Sequence, residues 1–163
     1  MPNLLRLFLW FALSGMLLGC GYQLRGSSTK LKDQSIFVQA DVVHPAFKRL
    51  LEKKFGSYGS QLVGSSDQAN RQLQVISLEF FERGVSRDET GRASEAALSV
   101  ELSYYWLAAS ESIENSTLRS LSASTTYTFD YRDPVSKRVA HQDAQEWLYD
   151  QLAESLLAQL NLL

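Results

Sequence analysis

Leu98-Ser99-Val100-Glu101-Leu102-Ser103-Tyr104-Tyr105-Trp106 sends every second side chain to one side of an extended backbone. Leu98, Val100, Leu102, Tyr104 and Trp106 form one face, and Ser99, Glu101, Ser103 and Tyr105 form the other. A period of two with one apolar and one polar face describes a strand buried on one side only. The pattern recurs downstream, where Leu121, Ala123, Thr125, Tyr127, Phe129 and Tyr131 alternate with Ser122, Ser124, Thr126, Thr128 and Asp130. A third strand is predicted over Leu73–Glu82 (LQVISLEFFE), with Ile76, Leu78 and Phe80 on one face. Arg83–Ser94 and Ala108–Thr117 join the three as turns, so they read as an antiparallel meander with one open face.

Upstream, Ile36, Val38 and Ala40 alternate with Phe37 and Gln39 in a short strand. His44-Pro45 opens a helix, because proline suits the first helical turn. Phe47, Leu50, Leu51 and Phe55 follow at three- and four-residue spacing, Lys48, Glu52 and Lys53 mark the wet side, and Gly56 is a natural stop. Gly59–Asn70 is turn-rich, with a small extended piece at Gln61–Val63. At the far end, Asp143 fits a helix N-cap with Glu146 three residues on. Leu148, Leu152, Leu156 and Leu160, joined by Ala144, Trp147, Ala153 and Leu157, then make an amphipathic helix. The predicted class is α+β: a two-layer sandwich with two helices on one face of a four-stranded, mostly antiparallel sheet, in the order β-α-β-β-β-α.

The N-terminus belongs to a different category. Arg6 is the only basic residue before a continuous apolar stretch, Leu7–Leu18 (LFLWFALSGMLL). About twelve residues fall short of the ~20 that a membrane-spanning helix needs. A basic start, a short apolar core and a small residue describe a secretory signal. Leu17-Leu18-Gly19-Cys20 resembles the bacterial lipobox, in which the cysteine is lipidated and the chain is cut before it. Cys20 is the only cysteine, so no disulfide is available to the exported chain. The predicted layout is a signal peptide over 1–19, a lipidated tether over 20–34 and a single α+β domain over 35–163. An N-acyl and S-diacylglycerol anchor on Cys20 holds the chain firmly, because each buried methylene contributes about 0.8 kcal/mol and several chains act together. Gly21, where an Asp commonly retains such lipoproteins at the inner membrane, implies the outer membrane.

Removing residues 1–19 leaves 144 of 163 residues, which suits one domain. With Arg6 gone, 15 bases face 18 acids, so nothing favours nucleic acid or broad contact with anionic lipid. The apolar fraction of 45% and aromatic fraction of 11% are enough for a core without cross-links.

Cys20-Gly21-Tyr22-Gln23-Leu24-Arg25-Gly26, the element order, and Phe129-Asp130-Tyr131-Arg132-Asp133-Pro134 leading through Ala140 and Asp143 to Glu146 together resemble the LPS-assembly lipoprotein family LptE. The resemblance covers nearly the whole mature chain. It implies an outer-membrane lipoprotein on the periplasmic side that plugs the lumen of the LptD β-barrel, assists its assembly and binds lipopolysaccharide for delivery to the outer leaflet. A Ser/Thr/Glu-rich surface is compatible with a polar barrel lumen.

Lipopolysaccharide carries phosphates, which guanidinium and ammonium groups recognise. Two basic clusters stand out: Arg83, Arg87 and Arg92 in the turn between the second and third strands, and Arg132, Lys137 and Arg138 with His141 nearby, between the last strand and the last helix. The meander places both connections at one end of the sheet. The family attributes lipopolysaccharide contacts to basic residues in these two places, which fall near Glu89–Arg92 and Arg138–His141. Glu89 is acidic, so Arg87, Arg92, Lys137, Arg138 and His141 are the candidate ligand-binding residues. Each cluster also reads as an ordinary solvated turn. Tyr104, Trp106, Tyr127 and Phe129 share the buried phase and read as core rather than as an acyl-chain groove. Tyr105 and Tyr131, with Ser112 and Asn115 in the loop Ser110–Arg119 (SESIENSTLR), are the candidate partner contacts.

Enzyme chemistry is not expected. His44 and His141 stand apart, and there is no Gly-x-Ser-x-Gly elbow, phosphate loop or metal-spaced His/Cys set. Glu79 and Glu82 lie on a strand without a visible partner. No cofactor or metal is expected beyond the covalent lipid. The alternative function is a stand-alone periplasmic lipoprotein that binds a small apolar ligand or assists an ABC transporter.

Overall fold

The structure is a computed structural model that describes residues 30–87 and 93–163. Cys20, Gly21 and the lipobox, and Arg92, lie outside the described residues. The elements are β1 (Ser35–Gln39), α1 (Pro45–Ser57), β2 (Gln61–Leu62), β3 (Arg71–Arg87), β4 (Ala93–Ala108), β5 (Arg119–Thr128) and α2 (Pro134–Leu160). The sheet order is β2-β1-β3-β4-β5. The expected α+β class with two helices on a sheet is present, with five strands rather than four. The fifth is the two-residue β2, too short to show a period of its own. It pairs in parallel with β1, Ser35 opposite Gln61 and Ile36 opposite Leu62. β1 also runs parallel to β3, while β3–β4 and β4–β5 are antiparallel, so the sheet is mixed.

β3 and β4 are much longer than Leu73–Glu82 and Leu98–Trp106 suggested. They form a ribbon whose pairing continues to Arg87 opposite Ala93, through most of the segment read as a turn. Three irregularities interrupt its register, the last of them between Ser86 and Arg87. Val75 opposes Tyr104 and Ser77 opposes Ser103, which leaves Ile76 as the extra residue of a bulge. Leu73 and Val75 point inward before it and Leu78 and Phe80 after it, while Ile76 is 43% exposed. The expected Ile76-Leu78-Phe80 face is therefore corrected at Ile76. A second irregularity leaves Val85 exposed between Gly84 and Ser86.

The helices cover one face. His44 caps α1, its Nδ1 accepting from the Ala46 amide at 3.2 Å, and Pro45 follows at the first position. Phe47, Leu51 and Phe55 are fully buried. The left-handed glycine after α1 is Gly59, at φ 79°, rather than Gly56. The cap of α2 lies ten residues before the expected one at Asp143. Asp133 caps it, accepting from the Val135 amide at 2.9 Å, and Pro134 stands first. Glu146 instead accepts from Gln142 along the helix surface at 3.2 Å. The first turns of α2 lack the leucine repeat, so their helical character is written in the cap rather than in apolar spacing.

Leu148, Leu152, Leu156 and Leu160 fill the layer between helix and sheet, together with Leu98, Val100, Leu102 and Tyr104 from β4. Each such leucine contributes about 1.5–3 kcal/mol relative to an exposed one. Trp147, expected in the apolar stripe, is 49% exposed. Phe47 and Tyr149 stack across the helix pair at 5.1 Å. Lys54 of α1 bridges Asp150 and Glu154 of α2; burial disfavours its ammonium, but the two carboxylates outweigh this and hold its pKa above the ordinary value. The fold reaches back into the segment read as tether. Leu31 is buried, its carbonyl accepting from Ser60 Oγ at 2.8 Å, and the Asp33 amide donates to the Gly59 carbonyl at 3.1 Å.

Candidate functional site

The antiparallel meander brings the β3–β4 hairpin end, the end of β5 and the start of α2 together. Thr128 opposes Glu95 in the ladder, and the Phe129 amide donates to the Ser94 carbonyl at 3.0 Å. The chain then turns at Asp130, whose Oδ1 accepts from the Arg132 amide at 2.9 Å and whose carbonyl accepts from the Asp133 amide. This turn aims α2 back over the sheet.

Lys137 and His141 are four residues apart, hence neighbours on one helix face. Both face Glu82, an inward-phase residue of β3. Lys137 Nζ donates to Glu82 Oε1 at 2.9 Å, and His141 Nε2 lies 3.6 Å from Glu82 Oε2. Lys137 also sits 5.2 Å from the Phe129 ring centre, and His141 stands edge-on to Tyr127 at 5.8 Å. The Tyr127 hydroxyl is buried beside the Glu82 carboxylate, with no partner in hydrogen-bonding geometry. Burial first, and the adjacent carboxylate second, push its pKa up to about 12. The hydrogen bond from Lys137 holds the Glu82 carboxyl below its ordinary range, against the opposing effect of burial.

The site is a half-exposed cluster rather than an enclosed cavity. Lys137 and His141 converge, and Arg138 is exposed next to them. Arg87 closes the β3–β4 ladder at the same end of the sheet. Arg132 lies against Tyr131, with its Cζ 5.4 Å from the ring centre and its Nε 3.0 Å from the hydroxyl. The candidate partner contacts are split between the two ends. Tyr131 belongs to this end, while Tyr105, Ser112 and Asn115 lie at the other, Ser112 just before and Asn115 at the end of a short 3-10 turn at Ile113–Asn115. Sequence reading left Glu82 without a partner. Its signal was available: an acid at an inward position of β3. The lysine that answers it is 55 residues away.

Among the described residues, no cluster of His, Cys, Asp and Glu is arranged to hold a metal ion, and no helix is long and apolar enough to cross a membrane. A hollow of about 360 Å³ at the opposite end of the sheet is lined by the polar Lys30, Gln34 and Arg71 as well as by Leu31, Trp106 and Leu160.

No protein-family profile matches the sequence, and no curated protein matches it. Solved structures do match. An uncharacterized lipoprotein B from Nitrosomonas europaea superposes with a TM-score of 0.69 at 18% identity, covering 86% of this chain and 90% of that one. The rare lipoprotein B from Shewanella oneidensis gives 0.66 at 13% identity, over 77% and 92%. A minor lipoprotein from Acinetobacter baumannii gives 0.62 at 17% identity, over 78% and 90%. At these identities the likeness concerns the fold, and the fold of this chain is that of these lipoproteins.

Proposed function

We propose that this chain is a non-catalytic outer-membrane lipoprotein of the lipopolysaccharide translocon. In this reading it is anchored through Cys20, plugs an LptD-type barrel and helps it assemble, and binds the phosphates of lipopolysaccharide. The observation that carries the reading is the convergence of Lys137 and His141 on one face of α2, with Arg138 exposed beside them, against the hairpin end of a fold shared with other lipoproteins. The open sheet face supports the plug role. Ser120, Ser122, Ser124, Thr126 and Thr128 form an exposed polar row on β5, suited to a water-lined lumen. The alternative, a carrier of a small apolar ligand, draws no support from a hollow half-lined by lysine, glutamine and arginine.

Two measurements test the proposal. Detergent extraction and affinity purification of the lipidated chain is expected to bring down a large outer-membrane β-barrel in a stable complex. A chain that runs alone with bound lipid would sink the reading. Charge reversal at Lys137 and Arg138 is expected to weaken binding of purified lipopolysaccharide about tenfold or more while leaving the fold intact. Unchanged affinity would remove the site.

A further inference from the structure

We infer that Glu82 is a built-in competitor for the anion site, a carboxylate that occupies the space between Lys137 and His141 which a lipid phosphate takes when bound. The inference rests on the proposed lipopolysaccharide reading and assigns a regulatory element to that same site.

The geometry is that of an occupied anion cradle. Glu82 presents one oxygen to Lys137 Nζ at 2.9 Å and the other toward His141 Nε2 at 3.6 Å. A carboxylate and a phosphate offer the same two-oxygen edge to such donors. The aromatic floor is already in place, since Phe129 lies under the ammonium and Tyr127 against the imidazole. The Tyr127 hydroxyl is buried beside the Glu82 carboxylate at the bottom of the cluster. Lys137 and Glu82 retain 47% and 35% side-chain exposure, so solvent and ligand have access and the carboxylate has room to swing out.

A phosphate must therefore displace Glu82 before it meets both donors. The competent, Glu82-out state is a fraction of the whole, and the apparent affinity falls by that fraction. This suits a protein that passes its ligand on, because the returning carboxylate helps to expel the phosphate. The lock acts on Lys137 and His141, while Arg138 is exposed to make first contact.

The test compares three variants of the lipidated chain: Glu82→Gln, Glu79→Gln and Lys137→Met. The probes are purified lipopolysaccharide and the same material with its phosphates removed. Glu79→Gln removes an equal charge from the same strand, at an exposed position opposite Glu101 on the open face. Glu82→Gln is expected to bind phosphorylated lipopolysaccharide about three- to tenfold more tightly than the unaltered chain, mainly through slower release. Glu79→Gln is expected to leave affinity unchanged, and Lys137→Met to weaken it. The gain in Glu82→Gln is expected to vanish with the dephosphorylated probe. If Lys137→Met weakens binding but Glu82→Gln is no tighter than Glu79→Gln, the competitor role is overturned and the binding site stands. If the unaltered chain does not distinguish the two probes, the phosphate site falls, and the competitor role with it.

Discussion

Tyr104 Oη donates a 2.7 Å hydrogen bond to Gln159 Oε1 and so ties the inner face of β4 to the last turns of α2, 55 residues downstream. The ring is fully buried, and burial raises the phenol pKa. Tyr104→Phe keeps the ring and removes only this bond. It is expected to cost about 1 kcal/mol, because Gln159 is partly exposed and regains water. Tyr104→Ala is expected to cost about 3–5 kcal/mol, since it opens a cavity under the leucine layer. Urea denaturation of the two variants checks the pair; equal losses would mean that the ring is not packed as described.

The leucine repeat of α2 and the tryptophan within it predict opposite outcomes. Leu152 is fully buried between helix and sheet, so Leu152→Ala is expected to cost about 2–5 kcal/mol. Trp147 is larger but half exposed, and Trp147→Ala is expected to cost less than about 1 kcal/mol. Thermal unfolding of both proteins decides. A larger loss at Trp147 would move the buried face of α2 by about a third of a turn.

The contrast also marks what the sequence makes legible. Period-two alternation over Leu98–Tyr104 and Leu121–Tyr127 gives two strands and their buried faces correctly, because each strand has one wet side and no bulge within those spans. The leucine repeat gives the second half of α2. Two features escape a periodic reading. The first turns of α2 are fixed by the Asp133 cap and Pro134 rather than by apolar spacing. Ile76 is apolar in an apolar run yet faces out, because the bulge shifts the phase by one residue. At the site, the clustering of basic residues at one end of the meander is visible in the sequence. The Glu82–Lys137 contact is not, since it depends on how α2 folds back over β3.

Deleting Ile76 tests the bulge directly. Its neighbours Val75 and Ser77 already face adjacent residues of β4, Tyr104 and Ser103. The deletion therefore leaves a regular strand with every inward residue still inward. It is expected to keep the fold, at a cost below about 2 kcal/mol. Deleting Phe81, five residues on within regular pairing, shifts everything after it by one and turns Glu82 outward. That variant is expected to lose the Glu82–Lys137 pair and to expose the hairpin's inner face. Circular dichroism and hydrogen exchange distinguish the two; comparable disruption by both deletions would show that the bulge itself is needed.

Tyr127 gives a pH dependence with a definite sign. Its phenol titrates near 10 in the unfolded chain and at about 12 in the folded one. The folded state thus holds a proton that the unfolded state releases between these values. The associated stability is fully present below pH 10 and is lost as pH rises through about 12. Tyr127→Phe removes this group, so stability is expected to fall less steeply between pH 10 and 12 than in the unaltered protein. Some slope remains, because burial also raises Tyr104 and Tyr149. At neutral pH the same substitution is expected to be neutral or slightly stabilising, since it deletes a buried hydroxyl without a hydrogen-bond partner. Denaturant titrations at pH 7, 10 and 11.5 measure both effects. A loss above about 2 kcal/mol at neutral pH would mean that the hydroxyl holds a strong bond to Glu82.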